Sequence, residues 1–219
     1  MGKIFLNLGC GDTAPEGWIN CDSSWNAQLS KLPFAHYILK KMGIVSTANW
    51  PRNVRYLSLG GRFPWKDESV YCVYASHVFE HLNRVVADNF MRETHRILRQ
   101  GGVLRIVVPD LYYHASKYVS GFADNKSGAE EFLTTIHLRM PYEKNFIRRF
   151  YNVIMDYPSL HKQMYDTVTL SDVFKQYGFS NIRSSEYGVS NYINNIRDVE
   201  FREGGGYEGS IYIEAVRKP

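Results

Sequence analysis

The run Lys3-Ile4-Phe5-Leu6-Asn7-Leu8-Gly9-Cys10-Gly11-Asp12 decides the fold, because an apolar, β-prone segment ends abruptly in two glycines and an acid. This pattern reads as a strand that delivers the chain into a tight turn, where the missing Cβ lets a ligand approach the backbone. A second short strand, Trp18 to Cys21, follows and closes on Asp22. Outward from this nucleus, short apolar runs alternate with longer segments of helical period, which predicts an α/β fold with a mainly parallel sheet.

Asn26 to Met42 reads as a helix interrupted at Pro33 and ended by Gly43. Val54 to Leu59 and Val70 to Ala75 are the third and fourth strands, the latter running into Ser76-His77. Arg84 to Arg99 has helical period and basic residues near its end, so Gly101-Gly102 is expected to stop it. Val103 to Val108 is nearly continuous in apolar character, as a strand buried on both faces should be. In the second half, Leu111 to Gly121 and Glu130 to Leu138 read as helices. Thr169-Leu-Ser-Asp172 reads as a capping box opening a helix that Gly178 closes. Two late strands, around Phe179 to Tyr187 and Ser210 to Val216, are expected to pair antiparallel. With no repeat, low-complexity tract or linker, one domain over 1–219 is expected, with an insertion at about 23–51 and a substrate-side region at about 111–168.

Composition narrows the function classes. The 219 residues carry 26 Lys and Arg against 22 Asp and Glu, a net charge of +4 spread along the chain, which gives nucleic-acid binding little support. At 44% hydrophobic the chain is too apolar for disorder, yet no apolar run approaches the roughly 18 residues of a membrane span. The first residues lack a signal-peptide pattern, so a cytoplasmic location is expected. Cys10, Cys21 and Cys72 form neither a C-x-x-C pair nor a disulfide framework and read as small buried residues.

Gly9 to Ala14 fits the dinucleotide pattern G-x-G-x-x-A, but Asp22 follows Gly11 by 11 positions rather than about 20. Pro15-Glu16-Gly17 also leaves no room for a phosphate-binding helix. A nicotinamide-dependent oxidoreductase is disfavoured, whereas a cofactor without phosphates, with a ribose for Asp22 to hold, needs no such helix.

Leu6 to Asp12, Gly17 to Asp22, Phe63 to Ser69, Ser76-His-Val-Phe-Glu-His-Leu82, Leu98 to Leu104, Val108-Pro-Asp110 and the later His161 to Asp166 occur in the order found in a known family. In these pieces the chain resembles the class I S-adenosylmethionine-dependent methyltransferases, specifically the small bacterial, methyltransferase type 11-like kind with a degenerate first helix. The resemblance implies a Rossmann-like, doubly wound, seven-stranded-type sheet with an antiparallel C-terminal strand pair. It also implies S-adenosylmethionine as cofactor, with S-adenosylhomocysteine as product. Leu8, Gly9, Cys10 and Gly11 would pack under the methionine part, Asp22 and Ser23 would lie at the ribose, Ser58 and Leu59 at the adenine, and Ser76 and His77 beside the sulfonium. Many relatives carry an Asp after the third strand; here the sequence reads Ser58-Leu59-Gly60-Gly61, so that contact falls to a hydroxyl or the backbone.

Where the acceptor is a hydroxyl, a base must take its proton. Histidine suits this at neutral pH. His161 is the first candidate and His77 the second, while Asp110, with Tyr112, Tyr113 and His114, is expected on the substrate side. The alternative for Asp110 is a helix cap, and for His81, expected on the same helix face as His77 four residues earlier, a buried hydrogen-bonded core position. His77 and His81 with Glu80 do not match H-E-x-x-H, so no metal is expected. Arg139 to Tyr151 interleaves basic and aromatic residues that can hold an anion or a sugar face, or simply form a solvated face. By analogy with relatives in cell-surface glycan (polysaccharide biosynthesis) and secondary-metabolite pathways, the expected reaction is O-methylation of a sugar, an anionic sugar derivative or a glycosylated small molecule, by a monomer or homodimer. RNA or protein methylation, and a non-catalytic binding module, are the alternatives.

Overall fold

The computed structural model describes residues 2–24, 27–28, 31, 41, 51–124, 128–139, 144, 146–154, 158–200 and 206–218. Its framework is a seven-stranded sheet formed by β1 (Phe5–Leu8), β2 (Ile19–Asp22), β3 (Arg55–Tyr56), β4 (Val70–Ser76), β5 (Leu98–Pro109), β6 (Phe179–Ser185) and β7 (Ser210–Arg217), in the order β3-β2-β1-β4-β5-β7-β6. The first five strands are parallel, and β7 runs antiparallel to both β5 and β6. The mostly parallel α/β sheet with an antiparallel C-terminal pair is therefore present as expected.

Strand β5 shows why such a sheet needs cover on both sides. Leu104, Ile106 and Val108 join the larger core, with Phe90 and Met91 of α1 (Arg84–Ile97) and Leu170 and Phe174 of α5 (Thr167–Gln176). Val103 and Val107 face the other side, against Cys72, Tyr212, Ile193 and Ile196. Helix α1 presents Ala87, Phe90, Met91, Thr94 and Ile97 to the sheet, a stripe at helical spacing, and Asn83 caps it by accepting from the Val86 amide at 3.0 Å. Between α1 and α5 lie α2 (Leu111–Ala123), α3 (Ala129–Thr135) and α4 (Phe146–Ile154); α2 and α3 bury no residue fully. A four-residue α6 (Arg197–Glu200) precedes β7.

The structure corrects three sequence expectations. Helix α1 ends at Ile97, before the glycines, because Leu98 already pairs with Val70. The chain then bulges out and re-enters the ladder at Val103 opposite Cys72, and Gly101, at φ +70°, makes the bulge. Helix α5 opens three residues before the predicted box, since Asp166 is its cap and accepts from the Thr169 amide at 2.7 Å. The third strand contracts to Arg55–Tyr56 at the sheet edge. The predicted helix over Asn26 to Met42 lies almost wholly outside the described residues, as does most of the 23–51 insertion.

Strands β1 and β2 are adjacent and parallel although only residues 9–18 join them. Two buried asparagines make so short a crossover stable. Asn7 donates to the Thr13 carbonyl at 2.9 Å and to Asn20 Oδ1 at 3.1 Å, while Asn20 donates to the Pro15 carbonyl at 3.0 Å. Backbone groups that a helix would have satisfied are satisfied by side chains instead.

Candidate active site

Every ligand-facing element meets at the carboxyl ends of the parallel strands, where open α/β sheets bind ligands. After β1, the Gly9 and Cys10 amides both donate to the Cys21 carbonyl, at 2.8 and 3.0 Å, which fixes the turn against β2. Both glycines have positive φ, +68° at Gly9 and +56° at Gly11. Their surroundings differ. A Cβ on Gly9 would lie 2.2 Å from Val78 Cγ2, whereas one on Gly11 would meet no atom of the described residues within 4 Å. Gly9 serves close packing, and Gly11 keeps a cradle open.

Asp22 ends β2 with its carboxylate turned back toward this turn. Its Oδ2 accepts from the Gly11 amide at 3.0 Å and its Oδ1 from the Ser24 amide at 2.6 Å. A carboxylate offers about four acceptor directions, so two remain for hydroxyl groups of a ligand. Hollows lie on either side of the turn. The larger, about 480 Å³, is lined by Gly9, Gly11, Asp22, Ser23, Leu57, Leu59, His77, Val78, His81, Leu82, Val86 and Lys162 among others. The smaller, about 190 Å³, is lined by Cys10, Gly11, Tyr74, Ser76, His77, Tyr187, Glu200, Tyr207 and Tyr212 among others.

His77 belongs to both hollows. It follows Ser76 at the end of β4 with φ +52°, a conformation uncommon for a residue with a Cβ. Its amide donates to the Val107 carbonyl at 2.9 Å, its Nε2 lies 3.3 Å from Ser210 Oγ, and its Nδ1 lies 3.2 Å from Glu80 Oε1. The segment after β4 is a 3-10 turn, Phe79–His81, so His77 and His81 do not share a helix face. They converge instead on Glu80, which is completely buried.

His161 arrives at the same carboxylate from the far side, with Nε2 4.0 Å from Glu80 Oε1. Burial pushes its imidazole down to about 4, outweighing the opposing pull of Glu80, so it is neutral at pH 7. His161 lines neither hollow. Asp110 caps α2, accepting from the Tyr112 amide at 2.9 Å, and lines neither hollow either. Its capping alternative is thus the observed geometry.

Of the other cofactor candidates, Gly9, Gly11, Asp22, Ser23, Leu59 and His77 line the larger hollow, and Cys10 and Ser76 the smaller. Leu8 is buried in the core beneath, and Ser58 is exposed away from both hollows. Leu57 takes the place expected of Ser58; the alternation of buried Leu57 and Leu59 around exposed Ser58 was the available signal. Asn89, also missed, donates to the Leu59 and Gly61 carbonyls at 2.8 and 2.9 Å and so holds the turn after β3. The aromatic and basic stretch from Arg139 to Tyr151 lies partly outside the described residues; within it, Phe146, Arg149 and Phe150 are exposed.

Burial pushes the Cys10 thiol up to about 12 and the Cys21 thiol to about 11, and it raises Cys72 as well. All three thiols are protonated at pH 8 and hence poor nucleophiles. Folded protein at pH 8 is therefore expected to resist Ellman's reagent, while the unfolded chain reacts at all three cysteines. Rapid labelling of Cys10 in the folded state would contradict its environment.

Residues 6–106 match the family model described as a methyltransferase domain. No curated protein sequence matches the chain. Among solved structures, it is similar to a Thermotoga maritima protein described as an S-adenosylmethionine-dependent methyltransferase and possible histamine N-methyltransferase (TM-score 0.52, 14% identity, 100% of this chain and 83% of that one). It is also similar to the YcgJ protein of Bacillus subtilis (TM-score 0.50, 12% identity, 99% and 92%). The CurJ carbon methyltransferase is a further likeness (TM-score 0.51, 11% identity), in which the chain covers 49% of the longer protein. At such identities the likenesses speak to the fold, and the family match speaks to the chemistry. That match, over a little under half of the chain, and the strand order are consistent with a class I S-adenosylmethionine-dependent methyltransferase.

Proposed function

We propose that the chain transfers a methyl group to a hydroxyl of a sugar or glycosylated small molecule, in the cytoplasm, as a monomer or homodimer acting in glycan or secondary-metabolite assembly. The observation that carries the acceptor class is the smaller hollow, where Tyr74, Tyr187, Tyr207 and Tyr212 stand around Ser76, His77 and Glu200. Aromatic faces with hydroxyl and carboxylate groups beside them suit a polyhydroxylated ring.

The residues of the larger hollow fit the cofactor. Gly11 leaves its cradle open, Asp22 has acceptor directions left for ribose hydroxyls, and Leu57, Leu59, Val78 and Leu82 offer apolar cover for a base. S-adenosylmethionine supplies the methyl when bound and leaves as S-adenosylhomocysteine. His77 takes the proton of the attacking hydroxyl at Nε2, the nitrogen that faces Ser210 Oγ, while the buried Glu80, 3.2 Å from Nδ1, favours the positive charge that the ring gains. His77 replaces His161 in this role because, of these two, His77 lines both hollows and His161 neither. Within the region from 111 to 168, the described residues serve as the substrate-side cover.

Mass-spectrometric methyl-transfer assays with phosphorylated and nucleotide-linked sugars test the acceptor class. A methylated sugar is the expected product, and transfer only to RNA or protein would overturn it. His77→Ala is expected to lower turnover about 10²–10⁴-fold, the usual worth of a positioned base, while S-adenosylhomocysteine still binds. Unchanged turnover would remove His77 from the mechanism.

A further inference from the structure

We propose that Glu80, His81 and His161 form a binding site for a divalent transition-metal ion of the zinc class, beside the wall of the larger hollow. One ligand atom from each of the three lies within 4.8 Å of the others. Glu80 Oε1 is 4.0 Å from His81 Nε2 and 4.0 Å from His161 Nε2. Tetrahedral zinc with ligands at about 2.0–2.1 Å places its ligand atoms roughly 3.3 Å apart, so closure takes side-chain movements of about an ångström and no change of backbone.

The strongest sign is the carboxylate itself. Glu80 is completely buried, and among the described residues neither of its oxygens has a hydrogen-bond partner. A buried carboxylate left so is costly unless a cation or a proton compensates it. His161 Nδ1 is likewise buried without a hydrogen-bond partner among the described residues.

The surroundings are arranged as a metal site requires. His81 Nδ1 stands 3.0 Å from the Leu160 carbonyl, which fixes the proton on Nδ1 and leaves the Nε2 lone pair toward Glu80. A histidine ligand is held in this way by its other nitrogen. The two ligand-bearing segments are tied together, since the Glu80 carbonyl accepts from the Lys162 and Gln163 amides at 2.7 and 3.1 Å. His161 also stacks on His137, with centroids 5.0 Å apart. Two imidazoles and one carboxylate suit zinc or cobalt better than magnesium, and three protein ligands leave a fourth position for water. The competing arrangement is a proton on His77, whose Nδ1 lies 3.2 Å from Glu80 Oε1.

Untagged protein, stripped with a chelator, is titrated with Co2+ while visible absorption and calorimetric heat are followed. One equivalent with d–d bands, displaced by Zn2+ and not by Mg2+, is the expected result. Glu80→Gln and His161→Ala should each weaken Co2+ binding by at least about 100-fold, since even outer partners of ligands contribute 10–100-fold. Circular dichroism on the same samples checks folding, and His81→Ala carries the same test if Glu80→Gln does not fold. No uptake by the wild type, displacement by Mg2+, or equal uptake by all variants would overturn the site. The readout needs neither cofactor nor acceptor, so its failure leaves the methyl-transfer reading standing. S-adenosylhomocysteine titrations on the same samples test that reading separately.

Discussion

Replacing Arg105 with methionine is expected to destabilise the protein by about 3–5 kcal/mol, the range seen when one partner of a buried ion pair is removed. Arg105 sits in β5 with no exposure at all, opposite Glu214 of β7 in the ladder. Its guanidinium donates to Glu200 Oε1 at 2.6 Å, Glu200 Oε2 at 3.1 Å, Glu214 Oε2 at 3.1 Å, the Glu186 carbonyl at 3.1 Å and the Ser185 hydroxyl. Both carboxylates also accept from amides, Glu200 from Gly188 at 2.8 Å and Glu214 from Asn191 at 2.7 Å. Those bonds soften the deficit but carry no full positive charge. Methionine would fill much of the volume and leave two buried carboxylates without a counter-ion. For a chain of this length the loss corresponds to a fall in Tm of roughly 6–20 °C, measurable by calorimetry at pH 7. The exposed Arg92–Asp88 pair is the control, since Arg92→Ala should hardly move Tm. A shift as small for Arg105→Met would mean that the amides alone hold the two acids. Glu200 also lines the smaller hollow, so the same network shapes the acceptor side.

Arg105 also shows what could be read in the sequence and what could not. Val103-Leu104-Arg105-Ile106-Val107-Val108 was legible as a strand buried on both faces, and an arginine inside such a run demands acids nearby. Which acids was not legible, because Glu200 and Glu214 are 95 and 109 positions away and only the β5–β7 register brings Glu214 opposite. The β1 turn and Asp22 were readable because their signal is local: an apolar strand, two glycines, then an acid. Gly101-Gly102 misled for the same reason, since glycine after a helical stretch looks like a stop whether it caps a helix or shapes a bulge, and the pairing of Leu98 with Val70 decided. His77, Glu80 and His81 lie close in sequence, but their spacing suggested a helix face. The convergence on Glu80 depends on the positive φ of His77 and on His161 arriving from a segment 81 positions beyond Glu80. Local backbone chemistry was therefore legible, whereas contacts made by the packing of distant segments were not.

Gly11→Val is expected to weaken S-adenosylhomocysteine binding by at least about 100-fold, some 2.8 kcal/mol, in a protein that still folds. Two effects act at this residue and can be separated. The backbone has φ +56°, which strains any residue with a Cβ and a branched one most. The direction of the missing Cβ meets no atom of the described residues within 4 Å, so a side chain there would enter the cradle between the hollows rather than the core. Asparagine tolerates this backbone region, and Gly11→Asn should keep most of the stability while losing affinity through bulk. Alanine adds strain with little bulk, so Gly11→Ala should lose some stability and keep more of the affinity than the other two. Gly9→Ala differs in kind, because its Cβ would fall 2.2 Å from Val78 Cγ2 and the backbone is strained as well. It is expected to cost about 2–4 kcal/mol of stability. Calorimetric titration with S-adenosylhomocysteine and thermal unfolding of the four variants resolve the two effects. If affinity followed stability across the Gly11 series, strain alone would explain the losses; wild-type affinity in Gly11→Val would mean that the cofactor does not pass over this turn.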